Sequence, residues 1–281
     1  MDALAWSAED VERGSLLAAG YGDGTLAVVN FKRAEGRLRD NILQNVERLA
    51  AGATALAVMT LRREGIARPA DLMDKSVAAP ESDAGRQLFP AFAKAAGIDA
   101  ARIRWQTVTP QLRETMLAQG RVNAITGFIT SGILSLRGLG VPANDIVTMK
   151  YSDFGADFYA TSLITSKRWA EANPAAVTGL IRALVRAQYD SLADPAATIA
   201  VLRAREPLTD VALERERLEL ALNELTFTPH VRANGFGRID TARLQRGIDM
   251  VRDAFAITRP LPWTEVYDPR YLPPASDMRL S

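Results

Sequence analysis

Cysteine is absent from this sequence, and histidine occurs once in its 281 residues. The first absence excludes disulfides, thiolate metal sites and cysteine nucleophiles. The second leaves any zinc site to carboxylates, an uncommon donor set. His230 follows Pro229 in a loop-like stretch and reads as an ordinary surface histidine. With no Gly-x-Ser-x-Gly elbow, one such histidine is thin support for a serine hydrolase. Neither sign of charge is in excess: 34 lysines and arginines meet 33 aspartates and glutamates, for a formal charge of +1. Proteins that grip nucleic acid by its backbone carry a basic excess or stripe. Here bases and acids interleave instead, as in Leu213–Leu220 (LERERLEL), the pattern of a solvated helix face. No apolar run reaches the roughly 20 residues of a membrane-spanning helix. The opening MDALAWSAEDVERG has neither a basic start nor a long apolar stretch, so it does not read as a secretory signal.

What is present is alternation. Short apolar runs at Leu26–Val29, Ala55–Met59, Val77–Ala79, Val122–Ile125, Ile146–Met149 and Tyr159–Ile164 read as strands. Helical patterns lie between them, which predicts α/β layers, and the length suits two compact lobes. Thr109-Pro110 is expected to open a helix that Gly120 closes, with Leu112, Met116 and Leu117 on one face. Asn173-Pro174, Asp194-Pro195 and Asp240 open further helices, and beyond about Ser166 the chain reads as nearly all helix. Lys32–Ala53 reads as a charged helix. Trp105, in the alternating run Ile103–Val108, reads as packing.

Two segments invite a binding reading. Ser82-Asp83-Ala84-Gly85 follows a strand and precedes a helix, where free N–H groups bind carboxylate, sulfonate or phosphate. The competing reading is a simple N-cap, and from spacing alone it is the stronger. Asp83 would oppose a ligand anion unless it points away or accepts from an N–H, and Pro90 either kinks this helix or marks its first turn. Thr126-Gly127-Phe128-Ile129-Thr130 follows another strand, and open α/β sheets hold ligands beyond the carboxyl ends of strands. Thr126 and Thr130 offer hydroxyls and Phe128 a stacking face. A strand-to-helix loop with Phe128 in the core explains the same residues equally well.

Several stretches resemble the ligand-binding proteins of ABC importers that take up nitrate, taurine, sulfonates or thiamine pyrimidines. They are Gly65-Ile66-Ala67-Arg68-Pro69-Ala70-Asp71-Leu72 before the strand Ser76–Pro80, then Ser82–Gly85 and Gly97-Ile98-Asp99. Gly120-Arg121-Val122-Asn123-Ala124-Ile125 follows, with Asn123 where the family has Asp, and then Val266–Pro273 near the end. The resemblance runs from about Gly65 to the C-terminus. It implies a two-lobed periplasmic-binding-protein fold with a helix-rich C-terminal part, lobe one over 1–73 plus 156–281 and lobe two over 74–155. The crossings would fall near Asp71–Lys75 and Phe154–Tyr159. The family's opening strand before Tyr21 is not apparent, so lobe one reads as shortened.

By the same resemblance, Tyr21 and Asp23 would face the cleft from lobe one, though Gly22-Asp23-Gly24 is also ordinary turn chemistry. Asp153 and Tyr159 lie by the return crossing, as cleft lining or as strand-end packing. The function implied is non-catalytic capture of a small anionic or heteroaromatic solute. No cofactor is implied, and the partners are an ABC permease and its ATPase subunits. The protein would be a periplasmic monomer touching the membrane only through the permease. A eukaryotic branch of the same fold makes the thiamine pyrimidine with a pyridoxal cofactor, iron and a Cys-rich motif, which a chain without cysteine lacks. The third reading is a truncated fragment that no longer binds.

Overall fold

A computed structural model describes residues 16–20, 26–30, 46–50, 55–159 and 162–278. Five strands form a mixed sheet, in the spatial order Arg104–Thr107, Ser76–Ala79, Ala124–Phe128, Leu56–Leu61 and Ile146–Lys150. They are β4 (Leu56–Leu61), β5 (Ser76–Ala79), β6 (Arg104–Thr107), β7 (Ala124–Phe128) and β8 (Ile146–Lys150). β5 runs parallel to β6 and β7, and β4 lies antiparallel between β7 and β8. Both faces are covered, so the central strands are buried along most of their length and mostly apolar, with Thr60 and Thr126 the buried polar exceptions in β4 and β7. Leu56, Val58 and Val77 face α1 (Ala84–Ala95) with Phe89 and Phe92. Ala57, Met59, Leu61 and Ile125 face the other side. There they meet Met116 and Leu117 of α2 (Arg113–Ala118) and Ile129 and Leu136 of α3 (Ile129–Gly138).

The rest is mostly helical: α4 (Lys167–Ala172), α5 (Pro174–Ala193), α6 (Pro195–Arg205), α7 (Val211–Leu220), α8 (Pro229–Asn234) and α9 (Thr241–Ala254). Pro174 and Pro195 occupy first-turn positions, where a missing N–H costs nothing. Asp194 and Asp240 cap their helices by accepting from backbone N–H groups. β9 (Ser162–Ser166) pairs antiparallel with β3 (Val46–Ala50), and β1 (Leu16–Gly20) with β2 (Leu26–Asn30). The helical part reaches both sides of the sheet region, with Leu225 packed on the α2 and α3 side and Glu224 paired with Lys150 of β8. Met250, Val251 and Ala254 of α9 pack on the α1 side, and α7 contributes Arg217 to the carbonyl of Thr130. The fold is α/β with a helix-rich C-terminal part. No helix of the described residues is long and apolar enough to cross a membrane.

Beside the pairing of β4, three expectations need correction. β4 belongs to the same sheet as β5 to β8, because its fully buried residues pair with β7 and β8. The expected crossing at Asp71–Lys75 therefore falls within the β4–β5 connection. Val46–Ala50, inside the stretch read as a charged helix, is a strand paired with β9, a long-range pairing that local charge does not reveal. A strand does precede Tyr21, namely β1. Thr109-Pro110 forms a turn, with Leu112 N–H donating to Thr109 O at 3.1 Å, and α2 starts only at Arg113, leaving Leu112 exposed. Pro90 lies inside α1 without ending it.

Candidate functional site

The carboxyl ends of β5 and β7 bring the two sequence segments together. After β5, Asp83 N–H donates to Pro80 O at 3.1 Å, and Asp83 then caps α1 by accepting from Arg86 N–H at 3.1 Å. Gly85 presses this first turn onto β7. A Cβ there would stand 2.9 Å from Thr126 Cβ and 2.9 Å from Asp83 Oδ1, so no larger residue fits without a shift. Thr126 is fully buried and donates its hydroxyl to Asp83 Oδ1 at 3.1 Å. Tyr151, stacked on Phe92 at 4.3 Å, donates to Gly85 O at 2.7 Å from beneath. Burial, with Asp83 nearby adding to it, pushes the Tyr151 phenol well above its ordinary range and keeps it a donor.

Arg113, from the first turn of α2, completes the cluster. Its Nη1 donates to Asp83 Oδ2 at 3.0 Å, and its Nε and Nη2 donate to Glu114 Oε1 at 2.9 and 2.6 Å. All three side chains are about a tenth exposed. The guanidinium lies against Gly127, where a Cβ would stand 2.8 Å from Nη1. Such a buried ionic group pays heavy desolvation, so its value is geometric: it fixes the cap of α1 against the end of β7. The positive N-terminal end of α1 offsets part of the cluster's net negative charge. Sequence reasoning missed Arg113 and Glu114. Arg-Glu in a short amphipathic stretch looks solvated, and the partner Asp83 is far back in the chain.

The anticipated residues therefore divide. Asp83, Gly85 and Thr126 converge as a buried frame, with Asp83 engaged by internal donors. Ser82 stays exposed on the turn, and half-buried Phe128 is the N-cap of α3. Thr130 is fully buried, and its carbonyl accepts from Arg217 Nη1 at 2.6 Å. Asp153 is exposed on a 3-10 turn. Tyr159 is turned toward α9, where its oxygen accepts from Asp240 N–H at 2.8 Å and its ring lies 4.2 Å from the Arg243 guanidinium. Tyr21 and Asp23 lie outside the described residues. Trp105 packs edge-on against Phe89 at 5.1 Å, and Arg86 covers its ring at 5.0 Å. His230 is partly buried on α8, with Nε2 2.7 Å from Arg238 O. Among the described residues, no group of His, Cys, Asp or Glu gathers as a metal site. A separate open cavity of about 590 Å³ lies between α5 and the turn at Arg270 and Tyr271, remote in sequence from these strand ends.

Asn123, the departure from the expected Asp, has a physical reason. Its Oδ1 accepts from Ser76 N–H and hydroxyl at 3.0 and 2.9 Å, while its Nδ2 donates to Glu64 Oε2 at 2.8 Å. An aspartate would lose that donor and face a like charge.

Comparison with known proteins gives a consistent picture. The sequence model described as NMT1/THI5 like matches residues 44–198. The segment Val266–Pro273 thus lies outside the match. No curated protein matches the chain. Among solved structures, the chain is similar to the periplasmic aliphatic sulphonate binding protein SsuA from Escherichia coli. The two share 16% identity at a TM-score of 0.60, covering 79% of this chain and 69% of that one. The alkanesulfonate-binding protein SsuA from Xanthomonas axonopodis pv. citri, bound to MOPS, is similar at 16% identity and TM-score 0.56, covering 83% and 78%. A ligand-binding component of an ABC-type import system from Staphylococcus aureus, with zinc bound, is similar at 11% identity and TM-score 0.57, covering 81% and 73%. At these identities the likeness is one of fold.

Proposed function

Because this chain belongs to the NMT1/THI5-like family, we propose that it is the solute-binding component of an ABC importer. It captures a small anionic or heteroaromatic compound in the periplasm and delivers it to a permease and its ATPase subunits. The reading takes residues 55–159 as one lobe and the helical part with β9 as the other, closing around the solute by a hinge. The observation that carries it is the convergence of Ser82, the first turn of α1 and Phe128 at the carboxyl ends of parallel strands, over a buried frame of Asp83, Thr126 and Arg113. Ser82 supplies a hydroxyl and Phe128 an apolar face, and the frame holds both still. A synthase of the same fold is disfavoured by the lack of cysteine and by His230 of α8, whose ring is engaged with the Arg238 carbonyl.

A thermal-shift screen of the 281-residue protein tests this. The library holds taurine, alkanesulfonates, nitrate, bicarbonate, hydroxymethylpyrimidine, flavins and aromatic carboxylates. A solute that binds only the folded state raises the midpoint by mass action. One chemical class is expected to do so, and Phe128→Ala to reduce the shift. A cooperative melt that no compound in the library moves would count against a solute-binding role.

A further inference from the structure

The charges at the strand ends are largely paired with one another, since Arg113 is shared between Asp83 and Glu114. Arg86 is different. Its Nη1 donates to Thr107 Oγ1 at 2.9 Å and to Ala79 O at 3.3 Å, and its guanidinium covers the Trp105 ring. Among the described residues it has no carboxylate partner. A hydroxyl, a carbonyl and an aromatic face aim the side chain without neutralising it. They occupy one terminal nitrogen and one face of the fork. Ala79 and Thr107 are the last residues of β5 and β6. The guanidinium head is thus fixed beside the crevice outside the carboxyl ends of two parallel strands, where open α/β sheets take their ligands. Being planar and weakly hydrated, it matches the paired oxygens of a carboxylate or sulfonate.

We propose that Arg86 binds the oxyanion of the solute, so that the site takes a small carboxylate or sulfonate in preference to a neutral ring. This rests on the solute-binding reading above and narrows it. Thr107 is then a positioning residue, acting through Arg86.

Calorimetric titration of the full chain with methanesulfonate, propionate, uncharged dimethyl sulfone and hydroxymethylpyrimidine tests it. Wild type is expected to bind at least one of the two anions saturably and dimethyl sulfone not at all. Arg86→Gln weakens the anion about ten- to a hundredfold, the loss of a charge-assisted hydrogen bond. Arg86→Lys recovers part of it, since the charge returns without the fork. Thr107→Val, which keeps the charge but loses its aim, weakens binding about threefold. Should Arg86→Gln fail to melt cooperatively, Arg86→Lys and Thr107→Val decide, and wild-type affinity in both overturns the proposal. Wild-type affinity in a folded Arg86→Gln does the same. Binding of hydroxymethylpyrimidine but of neither anion overturns the role of Arg86 while the solute-binding reading stands. Binding of no probe overturns the role of Arg86 and counts against both.

Discussion

The sheet-bearing region and the helical region are held together by different physics. In the first, strands are buried on both faces and two apolar clusters sandwich one sheet. In the second, the apolar clusters are smaller, α7 buries none of its residues, and α6 buries only Ile199. Ion pairs there, such as Arg215–Glu219, are mostly solvent-exposed. The contrast teaches where preorganisation resides. A buried, hydrogen-bonded ionic cluster can be held only where packing already excludes water, and among the described residues that is the end of β7.

Removing one charge from each region is expected to separate the two most strongly. Arg113→Met leaves Asp83 and Glu114 buried without their cation and is expected to cost about 3–5 kcal/mol in urea unfolding. Arg215→Met on α7 should leave the transition in place, as exposed pairs contribute little. Similar losses from both would dissolve the distinction. Gly127→Ala sharpens it, because the added methyl meets the guanidinium. Its cost should shrink in the Arg113→Met background, a coupling that a double-mutant cycle reads directly.

Legibility follows the same divide. The helical region was readable because its signals are local: Asn173-Pro174, Asp194-Pro195 and Asp240 each mark a helix start within a few residues. In the sheet region the apolar runs showed as strands, and Ser82–Gly85 showed as a turn into a helix. What could not be read was non-local. Nothing near Arg113 announces Asp83, and nothing near Val46 announces β9. Thr126 and Asp83 were found as polar residues at strand ends, but only tertiary packing turns them inward on each other. Arg86 escaped notice because its aim comes from Thr107 and Trp105 on another strand.

A second, smaller effect concerns Asn123. Asn123→Asp removes the donor to Glu64 and sets two carboxylates together, with an expected loss of about 1–3 kcal/mol in the same assay. Glu64→Gln in the aspartate background should restore part of it, and no restoration would mean the cost lies elsewhere.

The smallest effect belongs to the helical region and is confined to alkaline pH. Burial raises the Tyr267 phenol from an ordinary 10.0 to about 12. Above pH 10 the unfolded chain sheds a proton that the fold retains, so this stabilisation is intact below pH 10 and is lost as pH rises towards 12. Tyr151, raised well above its ordinary value by burial, adds a loss of the same sign. Tyr267→Phe should flatten part of the fall in melting temperature across that window. An unchanged slope would mean Tyr267 titrates normally in the fold.

We assign solute binding to the strand ends of the sheet region. Amide hydrogen exchange of the full chain with excess ethanesulfonate, and separately with hydroxymethylpyrimidine, tests it most directly. At least one of the two is predicted to slow exchange in 80–86, 106–109 and 128–131, where Ser82, Arg86, Thr107 and Phe128 lie. No change at these segments with either compound, or protection confined to 171–182 and 269–271 around the separate cavity, would contradict it.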